Sequence, residues 1–306
     1  MGDVLTGTAS WTDPTLLATD WYPSEVRTAE DRLKHYASVF SLVEVDSTYY
    51  SLPAERSAVL WAERTPDHFI FDIKAFRLFT GHPTPVGKLP KRLREMLPVD
   101  LGKRSSLYSK DVPQKVVDEA WGMFHSALQP LYRAGKLGAV FLQFPKWFYF
   151  SRENLDRLEQ ARVRLGDYPM AVEFRQRSWM DDRHADKTLA FLKEHGIAYT
   201  CVDEPQGTTA SVPPVAVATS DLAVVRFHGR RQETWDKPGV GVQERFRYLY
   251  DEAELSEWVP KLRALSKETR QVHALMNNCY ADYGVRNAQQ LEDLVRQASI
   301  PVHVSG

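Results

Sequence analysis

The sequence has few cysteines, no long apolar run and almost no net charge. Its 306 residues include only Cys201 and Cys279, and neither lies in a CxxC or another metal-ligand spacing. Two isolated cysteines argue against a disulfide framework and favour a reducing compartment. No run of about 18 apolar residues occurs, and the first residues lack the basic and apolar segments of a secretory signal. We therefore expect a cytoplasmic protein with no membrane partner.

The charge balance and the absent glycine motifs exclude further classes of protein. A formal net charge of -1 leaves nucleic-acid attraction to a local patch rather than to the whole surface. Neither GxGxxG nor GxxxxGK[ST] is present, which argues against the phosphate-binding turn of an open, doubly wound sheet. Hydrophobic residues at 43% and charged residues at 26% are typical of a globular protein with a substantial core.

Short apolar runs alternate with helical patterns along the whole chain. Leu33, Tyr36, Ala37 and Phe40, for example, have the i, i+3, i+4, i+7 spacing of a helix that covers a sheet. Strands are predicted at 4–10, 42–46, 69–74, 137–144, 170–174, 197–202, 222–227 and 272–276. Helices are predicted at 28–40, 54–64, 114–133, 152–165, 184–195, 252–266 and 285–297.

Eight strands with crossover helices predict an α/β protein of the TIM type, a single (β/α)8 barrel over residues 1–306. Residues 205–220 are rich in proline, threonine, serine and alanine, so the helix after the sixth strand is expected to be missing or replaced by a loop. Residues 77–112 form a long insertion after the third strand, with eight basic side chains against three acidic ones, a local charge of +5. We expect this insertion to lie over the C-terminal face.

Several short motifs are ordered along the chain like those of a known family. They are Gly7-Thr8-Ala9-Ser10-Trp11, Val43 to Tyr50, Leu142-Gln143-Phe144-Pro145, Val172 to Arg175 with Ser178-Trp179, Val225 to Arg230, and Asn277-Asn278. In this order they resemble the YecE-like family, the domain of unknown function 72. The family usually has glycine after the first serine, where this chain has Trp11. The resemblance implies a TIM-type barrel and supplies no reaction.

Barrel enzymes place their sites at the C-terminal ends of the strands, so polar residues there should converge. The predicted catalytic residues are Glu173, Asp203, Asp46 and His228. The predicted substrate-binding residues are Arg175, Arg226, Arg230, Asn277, Asn278, Lys74, Tyr49, Trp11, Gln143 and Trp179.

These residues admit more than one interpretation. Glu173, with Asp203 or Asp46, suits acid/base catalysis, but it also suits an interior ion pair with Arg175. Arginines suit phosphate because the guanidinium binds two oxygens at once, whereas Arg226 within its strand also suits a carboxylate partner. Lys74 could form a Schiff base or pair with Asp72 or another carboxylate. No cofactor is expected. A divalent metal held by His228 with Glu173, Asp203 and Asp46 is an alternative, but these residues do not have the HxH, HExxH or DxD spacing of common metal sites.

The leading hypothesis is a hydrolase that acts on a phosphate-bearing substrate, with a phosphodiester as one form. Its ligand would be a small anionic or phosphorylated molecule. A glycoside-active enzyme is the alternative, because the many aromatic residues could stack on sugars. A third alternative is a noncatalytic protein that binds nucleic acid or another anion, since basic residues near aromatics are typical of single-strand binding. The sequence sets no oligomeric state.

Overall fold

The computed structural model describes residues 1–303 and contains a closed barrel of eight parallel strands. Each strand pairs with its neighbours in chain order, and the last pairs with the first through Asp3↔Gln271 to Thr8↔Met276. The strands are β1 Asp3–Thr8, β2 Leu42–Val45, β3 Ile70–Lys74, β4 Leu137–Gln143, β5 Met170–Glu173, β6 Ala198–Asp203, β7 Leu222–Phe227 and β8 Gln271–Met276. The predicted TIM-type barrel is confirmed.

Seven helices connect the strands on the outside of the barrel. They are α1 Ala29–Val39, α2 Glu55–Glu63, α3 Gln114–Arg133, α4 Arg152–Leu165, α5 Ala185–Glu194, α6 Val259–Glu268 and α7 Tyr283–Gln297. Short helical segments in the connections are Pro14–Leu17, Ser47–Tyr50, Gln232–Trp235, Val242–Arg245 and Glu252–Ser256. No helix lies between β6 and β7, as the composition of that segment predicts.

One predicted helix is interrupted. The pattern predicts a single helix over 252–266, but the structure has two, Glu252–Ser256 and then α6. Pro260 is the physical cause, because it has no N–H to donate to the carbonyl of Ser256 and can occupy only the first turn of a new helix.

Successive side chains of each strand point alternately into the barrel and towards the helices, because strand side chains have period two. Ten apolar side chains fill the lower interior: Leu5, Leu42, Ile70, Ala139, Phe141, Ala171, Ala198, Leu222, Val224 and Leu275. Beside them Asp72 accepts from His273 Nδ1 at 2.9 Å. A Cβ at Gly138 would lie 2.5 Å from Asp72 Oδ1, so glycine is required for this buried pair to form.

The insertion after β3 is packed rather than an open loop. It contains an antiparallel pair of short strands, Thr84–Pro85 and Ser106–Leu107, the helical segments Lys91–Glu95 and Val99–Gly102, and the 3-10 turns Val86–Lys88 and Ser109–Asp111. Buried Leu93 and Leu107 anchor it, and Arg92 Nε lies 2.8 Å from Glu119 on α3. The expected long connection is therefore a small substructure held by its own apolar residues.

None of the helices within residues 1–303 is long and apolar enough to cross a membrane.

Candidate functional site

The C-terminal mouth of the barrel is lined by a layer of polar side chains instead of apolar ones. Period two places these residues on the inward side, two or four residues beyond the apolar interior of their strands. The layer is drawn from six of the eight strands or the residues that follow them, and it consists of Glu44, Lys74, Gln143, Glu173, Arg226, His228 and Asn277.

Arg226 is the centre of this layer and is fully buried. Its Nη1 donates to Glu173 Oε2 at 2.8 Å, and its Nη2 donates to Glu44 Oε1 at 2.9 Å. The guanidinium carbon also lies 4.5 Å from the ring centroid of Phe141. One cation thus bridges two buried carboxylates across the barrel, which supports the ion-pair interpretation of Arg226 over the anion-binding one.

Glu173 accepts hydrogen bonds at both oxygens and has no exposed surface. Oε1 accepts from Arg175 Nε at 2.6 Å and from Gln143 Nε2 at 2.5 Å. Oε2 accepts from Arg226, and His228 Nε2 lies 3.2 Å from it. Burial by itself would raise the pKa of Glu173, but Arg175, His228 and Arg226 outweigh it and hold the pKa well below 4.5. Glu173 is therefore a permanent carboxylate that orients its neighbours.

His228 is buried between Glu173 and Asn277. Burial, followed by the charge of Arg175, lowers its pKa to about 3, so the ring is neutral near pH 7. Asn277 Nδ2 lies 2.8 Å from His228 Nδ1, which places an acceptor there and the ring proton on Nε2, facing Glu173. The predicted catalytic His228 therefore lies in the hydrogen-bonded layer, and its catalytic role stays a prediction.

Arg175 connects the layer to the space above it. Its Nη1 donates to Glu204 Oε2 at 2.9 Å, and its guanidinium lies 4.7 Å from the ring centroid of Trp235. Glu204 also accepts from the backbone of Val212 at 2.9 Å. Burial raises the pKa of Glu204 to about 8, against the opposing charge of Arg175. Arg175 is held from three sides and still lines the cavity described next.

A cavity of about 520 Å³ opens above this layer, and we call it the site cavity. Five cationic side chains line it against three acidic ones. The cations are Lys74, Lys146, Arg175, Lys237 and Arg245, and the acids are Asp13, Asp46 and Asp236. Gln143, Asn277, Tyr49 and His82 add hydrogen-bonding groups to its walls. A small anion would find an excess of positive charge there.

Asp46 and Lys74 are half-buried charged groups of the site cavity that have no ion-pair partner in the described part of the chain, whereas Lys146, Asp236 and Lys237, which also lack one there, are exposed. Within residues 1–303 neither side chain forms an ion pair within 4.0 Å; Lys74 Nζ lies 5.2 Å from the ring centroid of Tyr49. Burial raises the pKa of Asp46, opposed by Lys74, and burial lowers the pKa of Lys74, opposed by Glu44. The expected pairing of Lys74 with Asp72 is wrong, because Asp72 binds His273.

Two predicted site residues face the helices instead of the cavity. Asp203 accepts from Trp258 Nε1 at 2.7 Å, from Tyr250 Oη at 2.8 Å and from Arg230 Nη2 at 2.7 Å. Arg230 is further occupied by Glu257 at 2.8 Å. Asp203 therefore anchors the connection after β7 to the helix layer, and the structure does not bring it into contact with Glu173.

Three further predicted residues are also part of the packing. Asn278 donates to the carbonyl of Tyr248 at 2.9 Å and is fully buried. Trp179 stacks on Phe174 with 4.2 Å between ring centroids. Trp11 is 9% exposed and packs in the core. The structure places none of the three among the residues that line the site cavity.

Sequence reasoning missed Glu204 and His82. Period two along β6 could have found Glu204, because Thr200, Val202 and Glu204 share one side while Asp203 lies on the other. His82 lies in the insertion, where no repeating pattern indicates direction. Its pKa is lowered to about 3 by burial and the charge of Lys74, so it lines the cavity as a neutral ring.

Residues 1–303 contain no grouping of three or more histidine, cysteine, aspartate or glutamate side chains that could hold a metal ion. The set considered from sequence, His228 with Glu173, Asp203 and Asp46, is divided: Asp203 faces the helices and Asp46 the cavity.

The fold and the mouth of the barrel define a (β/α)8 protein with an ordered polar layer below a cavity that has more cationic than acidic side chains. A family model described as "Protein of unknown function DUF72" matches residues 5–304, and the chain belongs to this family. The resemblance seen in the motifs is thereby confirmed.

Relatives match over nearly their full lengths. The chain is 32% identical over 278 residues to the UPF0759 protein YunF of Bacillus subtilis (strain 168), covering 90% of this chain and 89% of that protein. A DUF72 family protein from Thermotoga maritima has 29% identity and a TM-score of 0.75, over 96% of this chain and 99% of the other. A DUF72 family protein from Enterococcus faecalis has 25% identity and a TM-score of 0.77, over 96% of this chain and 95% of the other.

Proposed function

We propose that this protein is a hydrolase that cleaves a phosphate ester bound in the site cavity. The observation that carries the proposal is the unpaired couple of Asp46 and Lys74, which face a cavity with an excess of cations. An acid and a base without ion-pair partners are available to a substrate, whereas Glu173 and Asp203 are saturated by donors.

The chemistry follows from the charges of the two groups. Ionised Asp46 takes a proton from a water molecule whose oxygen attacks phosphorus. As the ester P–O bond breaks, protonated Lys74 gives its proton to the departing oxygen. Arg175 offers a fixed cation to the phosphoryl oxygens, because Glu173 and Glu204 hold its guanidinium in place. Glu173 is then a positioning residue.

The direct test is hydrolysis of p-nitrophenyl phosphate and bis(p-nitrophenyl) phosphate by the wild type and by Asp46→Asn. We expect turnover in the wild type and a loss of about 10²–10⁴-fold in the variant. Asp236→Asn is the matched control, because Asp236 lines the same cavity at its exposed rim. Equal rates in all three proteins would contradict the assigned role of Asp46.

A glycoside-active enzyme is the second candidate, and exposed rings at the rim favour it. Tyr50 and Trp147 both line the site cavity, and each is 47% exposed, a suitable surface for stacking on a sugar. Release of p-nitrophenol from neutral p-nitrophenyl glycosides, with none from the phosphate esters, would favour this candidate. Phosphate binding without any turnover would favour the noncatalytic binder.

A further inference from the structure

A second cavity lies beside the first, between the insertion and helices α3 and α4. Its volume is about 530 Å³, and we call it the side groove. Phe79 and Trp121, stacked with 3.8 Å between ring centroids, form part of its wall. Tyr108 on the insertion, 41% exposed, adds a third ring. The groove is outside the polar layer of the barrel mouth and the proposed hydrolysis does not use it.

The two cavities share a wall at Trp147, which lines both. A series of rings leads from the site cavity to this position: Tyr49 lies 5.3 Å from His82, and His82 lies 5.9 Å from Trp147, between ring centroids. A ligand bound near Lys74 can therefore continue past Trp147 into the side groove. The two recesses are adjacent, with Trp147 at their boundary.

The side groove also carries cations without ion pairs. Arg157 on α4 makes a 3.4 Å hydrogen bond to Asn154 and lies 5.4 Å from the Phe148 ring centroid. It forms no ion pair within 4.0 Å in residues 1–303, although Glu153, the acidic residue of the groove, acts on its charge. Lys110 is exposed and likewise has no ion pair among these residues. Arg164 is different, because Asp118 lies 2.6 Å away. Unpaired cations beside accessible rings are complementary to a chain of phosphates that carries planar groups.

We propose that the site cavity and the side groove together bind a single-stranded nucleic acid, with the ester to be cleaved in the site cavity. This rests on the proposed function, since it names the substrate class of the same site. Phosphates contact Arg157 and Lys110, while a base stacks on Trp147. A base-paired duplex would not present its base faces to Trp147, so the strand must be single.

The test is fluorescence anisotropy with labelled oligothymidylates of two, six and twelve nucleotides, measured at several salt concentrations. We expect the six-nucleotide strand to bind at least about tenfold more tightly than the dinucleotide, because only it reaches the groove. Arg157→Gln should weaken the six-nucleotide strand, leave the dinucleotide unchanged, and reduce the salt slope by about 0.7. Trp147→Ala should weaken the six-nucleotide strand about tenfold.

Arg152→Gln is the matched control, since Arg152 begins the same helix but pairs with Asp156 and lies outside the groove. Absence of binding, equal affinity for all lengths, or equal effects of Arg152→Gln and Arg157→Gln would overturn the inference. If p-nitrophenyl phosphate is still hydrolysed in that case, the proposed function stands without it. Length-dependent binding without hydrolysis would instead support the groove and contradict the hydrolase.

Discussion

Asp46 and Lys74 belong to adjacent strand ends and face the same cavity, yet no ion pair within 4.0 Å joins them. Burial raises the pKa of the Asp46 carboxyl and lowers that of the Lys74 ammonium. The charged form of each group is destabilised because it has lost the solvation that water would provide. Most charged groups of the mouth have fixed partners, as Arg226 has. This pair is therefore where a substrate can replace missing interactions.

The pH dependence of hydrolysis should be bell-shaped. Asp46 must be ionised, so kcat/KM falls as pH decreases through a pKa above the ordinary 3.8. Lys74 must be protonated, so it also falls as pH increases through a pKa below the ordinary 10.5. The pH profile of Asp46→Asn should lose the acidic limb only. If the acidic limb of the profile persisted unchanged in the variant, a group other than Asp46 would be responsible for it.

Lys74→Met should remove the basic limb and lower kcat by about 10²-fold or more for substrates with poor leaving groups. The loss should be smaller for p-nitrophenyl esters, because p-nitrophenolate leaves without needing a proton. Comparing p-nitrophenyl phosphate with phenyl phosphate measures this difference. Lys146→Met, at the same cavity, is the control and should affect both substrates equally. An equal loss for both substrates in Lys74→Met would argue against proton donation.

The sequence predicts the barrel well because each strand and helix carries its own local period. The site is predicted less completely, since two neighbouring residues at a strand end point to opposite sides. Asn277 binds His228 while Asn278 binds Tyr248, and Glu204 binds Arg175 while Asp203 binds Trp258. Applying period two strictly would have separated these pairs. The direction of His82 depends on how the insertion packs, which no local pattern encodes.

Arg226→Met should destabilise the protein by roughly 3–5 kcal/mol, because it leaves Glu44 and Glu173 as buried carboxylates without their shared cation. Adding Glu44→Gln to this variant should recover part of the loss. Urea unfolding followed by circular dichroism measures both. Arg270→Met is the control, since Arg270 is 82% exposed and its pair with Asp221 should contribute only about 0–1 kcal/mol. Similar losses in the two arginine variants would contradict the central role of Arg226.

The contribution of His228 to stability should fall on acidification, whereas Glu204, whose folded pKa is raised to about 8, contributes in the opposite direction. The folded pKa of His228, about 3, lies below the ordinary 6.5, so the unfolded chain binds an extra proton between these values. The contribution of His228 is complete above pH 6.5 and is lost as pH falls towards 3, by up to about 1.4 kcal/mol per pH unit. The free energy of unfolding of His228→Gln should depend less steeply on pH. His82, whose pKa is also lowered to about 3, should still contribute to the slope of this variant. Unfolding between pH 4 and 7 measures the slopes, and identical slopes would contradict this assignment.

A crystal structure of the protein grown with tungstate, a phosphate analogue with strong scattering, shows most directly whether the site cavity binds a phosphoryl group. We expect one anion in the site cavity, in contact with Arg175 and Lys74 and beside Asp46. Tungstate bound at Arg230 and Asn278, with none in the site cavity, would contradict a phosphate-ester site at Asp46 and Lys74.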